Sequence, residues 1–205
     1  MIFEYGESEL EYLRQRDERL GEVIERIGFI EREVNSDIFA SIVKNIAGQQ
    51  ISNAALKTVE GRLMQAVGEL TPENVCMLGV DRLHSCGISL RKAENIVNIA
   101  EQVCSGKLDL EALRTLPDEE VISRFVSFHG IGRWTAEMIL IFCLCRKDVL
   151  SFGDFGIRRG IELLYGEEKL THAKFREYYE RYSPYATVAS FCLWAVGNGD
   201  VQLLS

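Results

Sequence analysis

The sequence predicts an all-α fold. Apolar residues recur at helical spacing, and Ser, Thr and Asp stand where helix N-caps are needed. No stretch alternates apolar and polar residues long enough to make a strand. The tetrapeptide VLSF after Asp148 is the one segment open to a strand reading. With 205 residues and 47% hydrophobic content, the chain buries a sizeable core as one compact unit or two small helical lobes.

Each element follows from local chemistry. The segment before residue 36 is acidic and reads as a short helical extension, 1–35. Ser36 is read as the cap of a helix running through Ala47, and Ser52 as the cap of another running through Val67. Thr71-Pro72-Glu73 opens a third, with proline in the first turn, where its missing N–H costs nothing. Ser89 starts a fourth that ends at Gly106. Pro117 precedes DEEVISRFVSF, in which Val121, Phe125 and Phe128 share a helical face. Helices over 171–182 and 185–196 close the chain.

The stretch 128–157, FHGIGRWTAEMILIFCLCRKDVLSFGDFGI, carries the chemistry. Gly130 and Gly132 flank Ile131, so a tight turn with positive φ is expected there, with the isoleucine tucked between two helices. The amides of that turn and the start of the helix near Arg133 suit a phosphate oxygen and ignore base identity. Helix, hairpin, helix is therefore the reading over 117–146. Behind the apolar run MILIFCLC, Gly153 and Gly156 bracket Asp154, with Arg158 and Arg159 beyond. Asp154 is placed to act on a sugar-phosphate substrate and also to cap the helix starting near Phe155.

These residues resemble a known family. Residues 128–136, FHGIGRWTA, followed by Asp148-Val149 and Asp154, are similar to the helix-hairpin-helix DNA glycosylase superfamily and, within it, to the 3-methyladenine DNA glycosylase II type. Residues 45–52 (NIAGQQIS), 90–94 (LRKAE) and 184–190 (PYATVAS) with Trp194 match three further family segments in the expected order, spanning 37–197. The resemblance implies a two-lobed helical catalytic unit over 1–205 with its active site between the lobes, lacking the N-terminal β-rich domain of the bacterial enzyme.

The resemblance also implies a reaction. A damaged nucleotide is flipped out of double-stranded DNA, and an aspartate, matched here by Asp154, stabilises the oxocarbenium-like sugar as the base departs. Relatives that also cut the strand carry a lysine two positions after the second hairpin glycine; here that position is Trp134, so hydrolysis without strand cleavage is expected. Trp134, Phe155 and Trp194 match aromatic pocket positions, where rings stacked on a cationic alkylpurine gain cation–π energy. Met138 falls where a close relative has another aromatic. Gly130, Ile131, Gly132, Arg133 and Thr135, with Gln49 and Gln50, match DNA-contacting positions, Gln50 at the wedge. Arg91 and Lys92 read either as backbone contacts or as solvated charges. A sodium or potassium ion on the carbonyls of Val126, Phe128 and Ile131 is implied by the family alone.

Charge and composition bound the remainder. A net charge of −8 opposes DNA binding. The basic residues, however, concentrate over 121–160, where Arg124, Arg133, Arg146, Lys147, Arg158 and Arg159 face Glu137, Asp148 and Asp154, so a positive face is expected. The six cysteines are scattered without a CxxC pair, which argues for buried thiols and against zinc. Cys192 stands alone where some relatives bind an iron–sulfur cluster, so none is expected, and no cofactor is required. No run spans a membrane, and the charged start does not resemble a signal peptide. A cytoplasmic, nucleoid-associated monomer follows. Two other readings stay open: a non-catalytic helix-hairpin-helix DNA-binding module, and a glycosylase for deaminated or oxidised bases.

Overall fold

The structure, a computed structural model, describes residues 1–201. They form eleven α-helices and one short 3-10 helix, Ala112–Thr115, in two compact units. The all-α expectation holds among the described residues. One isolated antiparallel bridge pairs Ile2 with Glu33, and VLSF is irregular rather than a strand.

The first unit combines Met1–Val34 with Leu140–Ser205, and the second is Asn35–Ile139. The first contains α1 (Glu7–Arg16), α2 (Glu18–Ile27), α9 (Phe155–Tyr165), α10 (His172–Tyr182) and α11 (Ala186–Asn198). The acidic start is thus two helices, because Asp17 leaves the helical conformation and caps α2 by accepting from Leu20 N–H at 2.9 Å. Asp17 also takes Arg181 at 2.5 Å, which ties α2 to α10. Leu13, Leu20, Ile24, Ile157, Ile161, Tyr182 and Leu193 fill the core of this unit.

Glycines bring α9 and α11 together. A Cβ at Gly160 would lie 2.2 Å from the Leu193 carbonyl oxygen, and one at Gly197 2.3 Å from that of Gly156. Both obstacles are backbone and have no rotamer to retreat into. Backbone contact at this distance fixes the register of the two helices.

The second unit contains α3 (Ile38–Gly48), α4 (Asn53–Val67), α5 (Pro72–Ser85), α6 (Leu90–Cys104), α7 (Asp118–Val126) and most of α8 (Arg133–Phe142). Ile42, Ile46, Leu63, Val75, Leu83, Ile96, Val121 and Phe125 form its buried interior. Thr71 and Ser52 cap α5 and α4 as expected. Asp37, not Ser36, caps α3, accepting from Ala40 N–H at 2.8 Å. Two cap-forming residues stand side by side there, and local chemistry alone does not choose between them. Cys104 is exposed and Cys76 half-buried, against the expectation of buried thiols. No described helix is long and apolar enough to cross a membrane.

Candidate active site

Asp154 stands at the N-terminus of α9 and is 9% exposed. Its Oδ1 accepts from Ile157 N–H at 3.0 Å, the capping bond, and from Trp194 Nε1–H at 2.8 Å. One carboxylate oxygen is therefore held by a backbone donor of its own helix and a side-chain donor of α11. Trp194 in turn stacks with Phe142 at 5.7 Å and with Phe191 at 6.1 Å between ring centroids. Gly156 leaves room for it, since a Cβ there would meet the indole Cδ1 at 2.8 Å. Phe155, the next residue, is 67% exposed.

The neighbouring Asp148 is built differently. Its Oδ2 accepts from Ser183 Oγ at 2.6 Å and Tyr179 Oη at 3.1 Å, and its Oδ1 from Ala186 N–H at 3.3 Å. Donors from α10, from the turn after it and from the first residue of α11 make it a strut for the start of α11.

In the second unit the hairpin joins α7 to α8. Gly130 has φ +88°, and its missing Cβ would lie 2.4 Å from the Asn95 side-chain nitrogen. Gly132 has no positive φ and faces open space, so only one of the two glycines takes the expected strained conformation. Ile131 is buried, and its N–H closes the turn on the Phe128 carbonyl at 3.2 Å, which removes that amide from the set offered to a phosphate. The first turn of α8 supplies further N–H groups that no intrahelical carbonyl reaches.

The loop between α3 and α4 is held against this hairpin. Gln49 Nε2 donates to the Gly130 carbonyl at 2.8 Å. Lys92, at the start of α6, donates to the Ala47 carbonyl at 3.0 Å and to that of Gln49 at 2.6 Å. Burial pulls the Lys92 ammonium below its ordinary pKa. Lys92 thus braces the loop. Gln50, exposed, takes φ +58°, a left-handed conformation rare for a residue with a side chain.

Between loop and hairpin, Lys44, Asn45, Leu56, Gly132, Trp134 and Thr135 line a cavity of about 660 Å³. Trp134 is 40% exposed and Met138, four residues on, is 6% exposed. The expected positive face is partly neutralised. Arg133 donates to Glu119 at 2.6 Å and to Glu137 at 2.9 Å, while Lys147 donates to Glu9 at 2.8 Å. These carboxylates lie in segments where a count of charges over 121–160 does not look, apart from Glu137. Among the described residues, no group of three or more His, Cys, Asp or Glu side chains is arranged to hold a metal ion.

Known proteins match this architecture. Residues 43–184 match the family described as "HhH-GPD superfamily base excision DNA repair protein". A crystal structure of DNA-3-methyladenine glycosidase from Bacillus halodurans superposes with TM-score 0.86 at 36% identity, covering 98% of this chain and 94% of that one. A Schizosaccharomyces pombe 3-methyladenine DNA glycosylase, solved with abasic DNA, gives TM-score 0.81 at 30% identity, covering 92% and 95%. The Escherichia coli DNA-3-methyladenine glycosylase 2 is 28% identical over 77% of this chain, which spans 57% of that protein. The family match covers well over half of the sequence, and the helices it spans are those that carry Asp154, the hairpin and the braced loop: the chain belongs to the HhH-GPD superfamily of base excision DNA repair proteins.

Proposed function

We infer that this chain is a monofunctional DNA glycosylase that flips alkylated purines, of the 3-methyladenine and 7-methylguanine type, out of duplex DNA and hydrolyses their N-glycosidic bond. The observation that carries this reading is the Asp154 carboxylate, fixed by Trp194 and Ile157 in a chain whose relatives are named DNA-3-methyladenine glycosylases. Loss of the base leaves positive charge on the deoxyribose. A carboxylate whose orientation is already set stabilises that charge without reorganising during the reaction. An N-alkylated purine is a good leaving group because it departs neutral, so the protein needs no strong acid to protonate it.

The other residues have roles suited to their surroundings. Trp134, exposed beside the cavity, offers a ring face to a cationic base, worth about 0.5–2 kcal/mol if well placed. It also stands where strand-cutting relatives carry lysine, so that position offers no amine for Schiff-base formation. The amides of Gly132 and the first turn of α8 would hold a phosphate, with Gln50 filling the space vacated by the flipped nucleotide. Phe155 and Trp194 would contribute aromatic surface. The Phe128 carbonyl, engaged once by Ile131 N–H, retains a lone pair that a monovalent cation would share with the carbonyls of Val126 and Ile131.

The test is base release from methylated duplex DNA by the wild type and by Asp154→Asn. Methylpurines released by the wild type alone, with nicks only after alkali, support the reading. Equal release by both proteins would remove Asp154 from the mechanism, nicks without alkali would overturn hydrolysis alone, and DNA binding without release would mark a binding module.

A further inference from the structure

The fold sets two thiols that take no part in the candidate site side by side. Cys76 in α5 and Cys104, the last residue of α6, place their sulfurs 3.7 Å apart although 28 positions separate them in sequence. Their exposure differs: Cys104 is exposed and Cys76 half-buried, whereas Cys86, Cys143 and Cys192 are buried. An S–S bond is about 2.05 Å long, so the sulfurs need to approach by roughly 1.7 Å, a change within reach of side-chain rotation where both lie near the surface.

We propose that Cys76 and Cys104 form a thiol–disulfide modification site, closed into an intramolecular disulfide by a small disulfide of the glutathione type. The exposed Cys104 reacts first. It loses its proton to solvent, and the thiolate attacks one sulfur of the reagent, breaking the reagent's S–S bond and releasing one thiolate, which takes up a proton. The resulting mixed disulfide on Cys104 is then attacked by Cys76, which gives its proton to solvent as it bonds to the Cys104 sulfur and expels the second reagent thiolate. Two protein thiols are oxidised and one small disulfide is reduced to two thiols. Burial raises the Cys76 thiol to about 11, and the Cys104 sulfur and the Glu101 and Glu73 carboxylates act in the same direction. Cys76 is therefore slow against a reagent in solution. Proximity makes it the resolving thiol, since attack within a preformed pair avoids the entropy of encounter.

The product staples α5 to α6 and restrains the unfolded chain of the second unit. This proposal is independent of the glycosylase reading. The test incubates the full chain with oxidised glutathione and follows it by intact mass and by non-reducing peptide mapping. The expected result is loss of two hydrogen atoms, a linked Cys76–Cys104 peptide pair, and reversal by dithiothreitol. Cys76→Ser is expected to stop at a glutathione adduct on Cys104, and its melting midpoint should match that of the reduced wild type. A stable glutathione adduct on wild-type Cys104, an unmodified chain, or a link through Cys145 would overturn it.

Discussion

Asp154 and the loop that carries Gln50 are both held in place by residues distant in sequence, but by different means. Around Asp154 the fixing contact runs from side chain to side chain, Trp194 to carboxylate, and depends on two helices whose backbones touch through Gly160 and Gly197. Around Gln50 it runs from side chains to carbonyls: Lys92 holds Ala47 and Gln49, and Gln49 holds Gly130. The first arrangement has no slack, because backbone atoms set the spacing. The second leaves a loop whose conformation depends on a few polar contacts and an open cavity beside it. In the proposed function, a carboxylate that stabilises charge would gain from rigidity, whereas a loop that met DNA would gain from a defined but adjustable shape.

Substitutions separate the two designs. The largest effect is expected for Asp154→Asn, a loss of base release of at least about 10²-fold with unfolding little changed, since asparagine keeps the capping oxygen. Next comes Gly160→Ala. It touches no substrate, yet forces α9 from α11, and should cost about 1–3 kcal/mol or more in urea unfolding and lower base release with it. If that variant unfolds like the wild type, the backbone contact does not set the register.

Trp194→Phe keeps the ring and deletes the donor to Asp154. A hydrogen bond to a charged group is worth about 1.5–3 kcal/mol, so single-turnover base release should slow by roughly one to two orders of magnitude, more than stability falls. Lys92→Met is its counterpart in the second unit. It should weaken binding of damaged duplex by about tenfold, consistent with loss of a charge-assisted hydrogen bond, while the rate from saturated complex changes less. Restored binding in Lys92→Arg would show that the charge-assisted brace, not the ammonium shape, matters; a fall in saturated rate alone would contradict it.

The smallest effect lies outside both regions. The Lys147 ammonium, and then the Ser8 hydroxyl, hold the Glu9 carboxyl down from its ordinary 4.5 to about 2. A depressed carboxylate stabilises the fold above its unfolded pKa, and this contribution fades as pH falls from about 4.5 to about 2. Lys147→Met should flatten the decline of unfolding free energy across that window, measured by urea titration at successive pH values. An unchanged slope would show that the pair contributes nothing to acid stability.

Features settled within a few residues were readable from the chain before folding. Helix starts at Ser52, Thr71, Thr171 and Asp154 were legible because a cap is a bond between a side chain and an amide three residues on. The order of hairpin, apolar helix and aspartate was legible for the same reason. Asp37 took the cap assigned to Ser36, and Gly132 took no positive φ, because adjacent candidates of similar chemistry are separated only by how the chain enters the next element. Tertiary structure alone decided the rest. It set Trp194 against Asp154 across forty positions, turned Lys92 inward onto carbonyls, paired Arg133 and Lys147 with carboxylates, and brought Cys76 to Cys104. Each of these contacts joins residues whose spacing carries no local signal, so none exists until the elements pack; for Trp194 and Asp154, glycines let the two helix backbones meet.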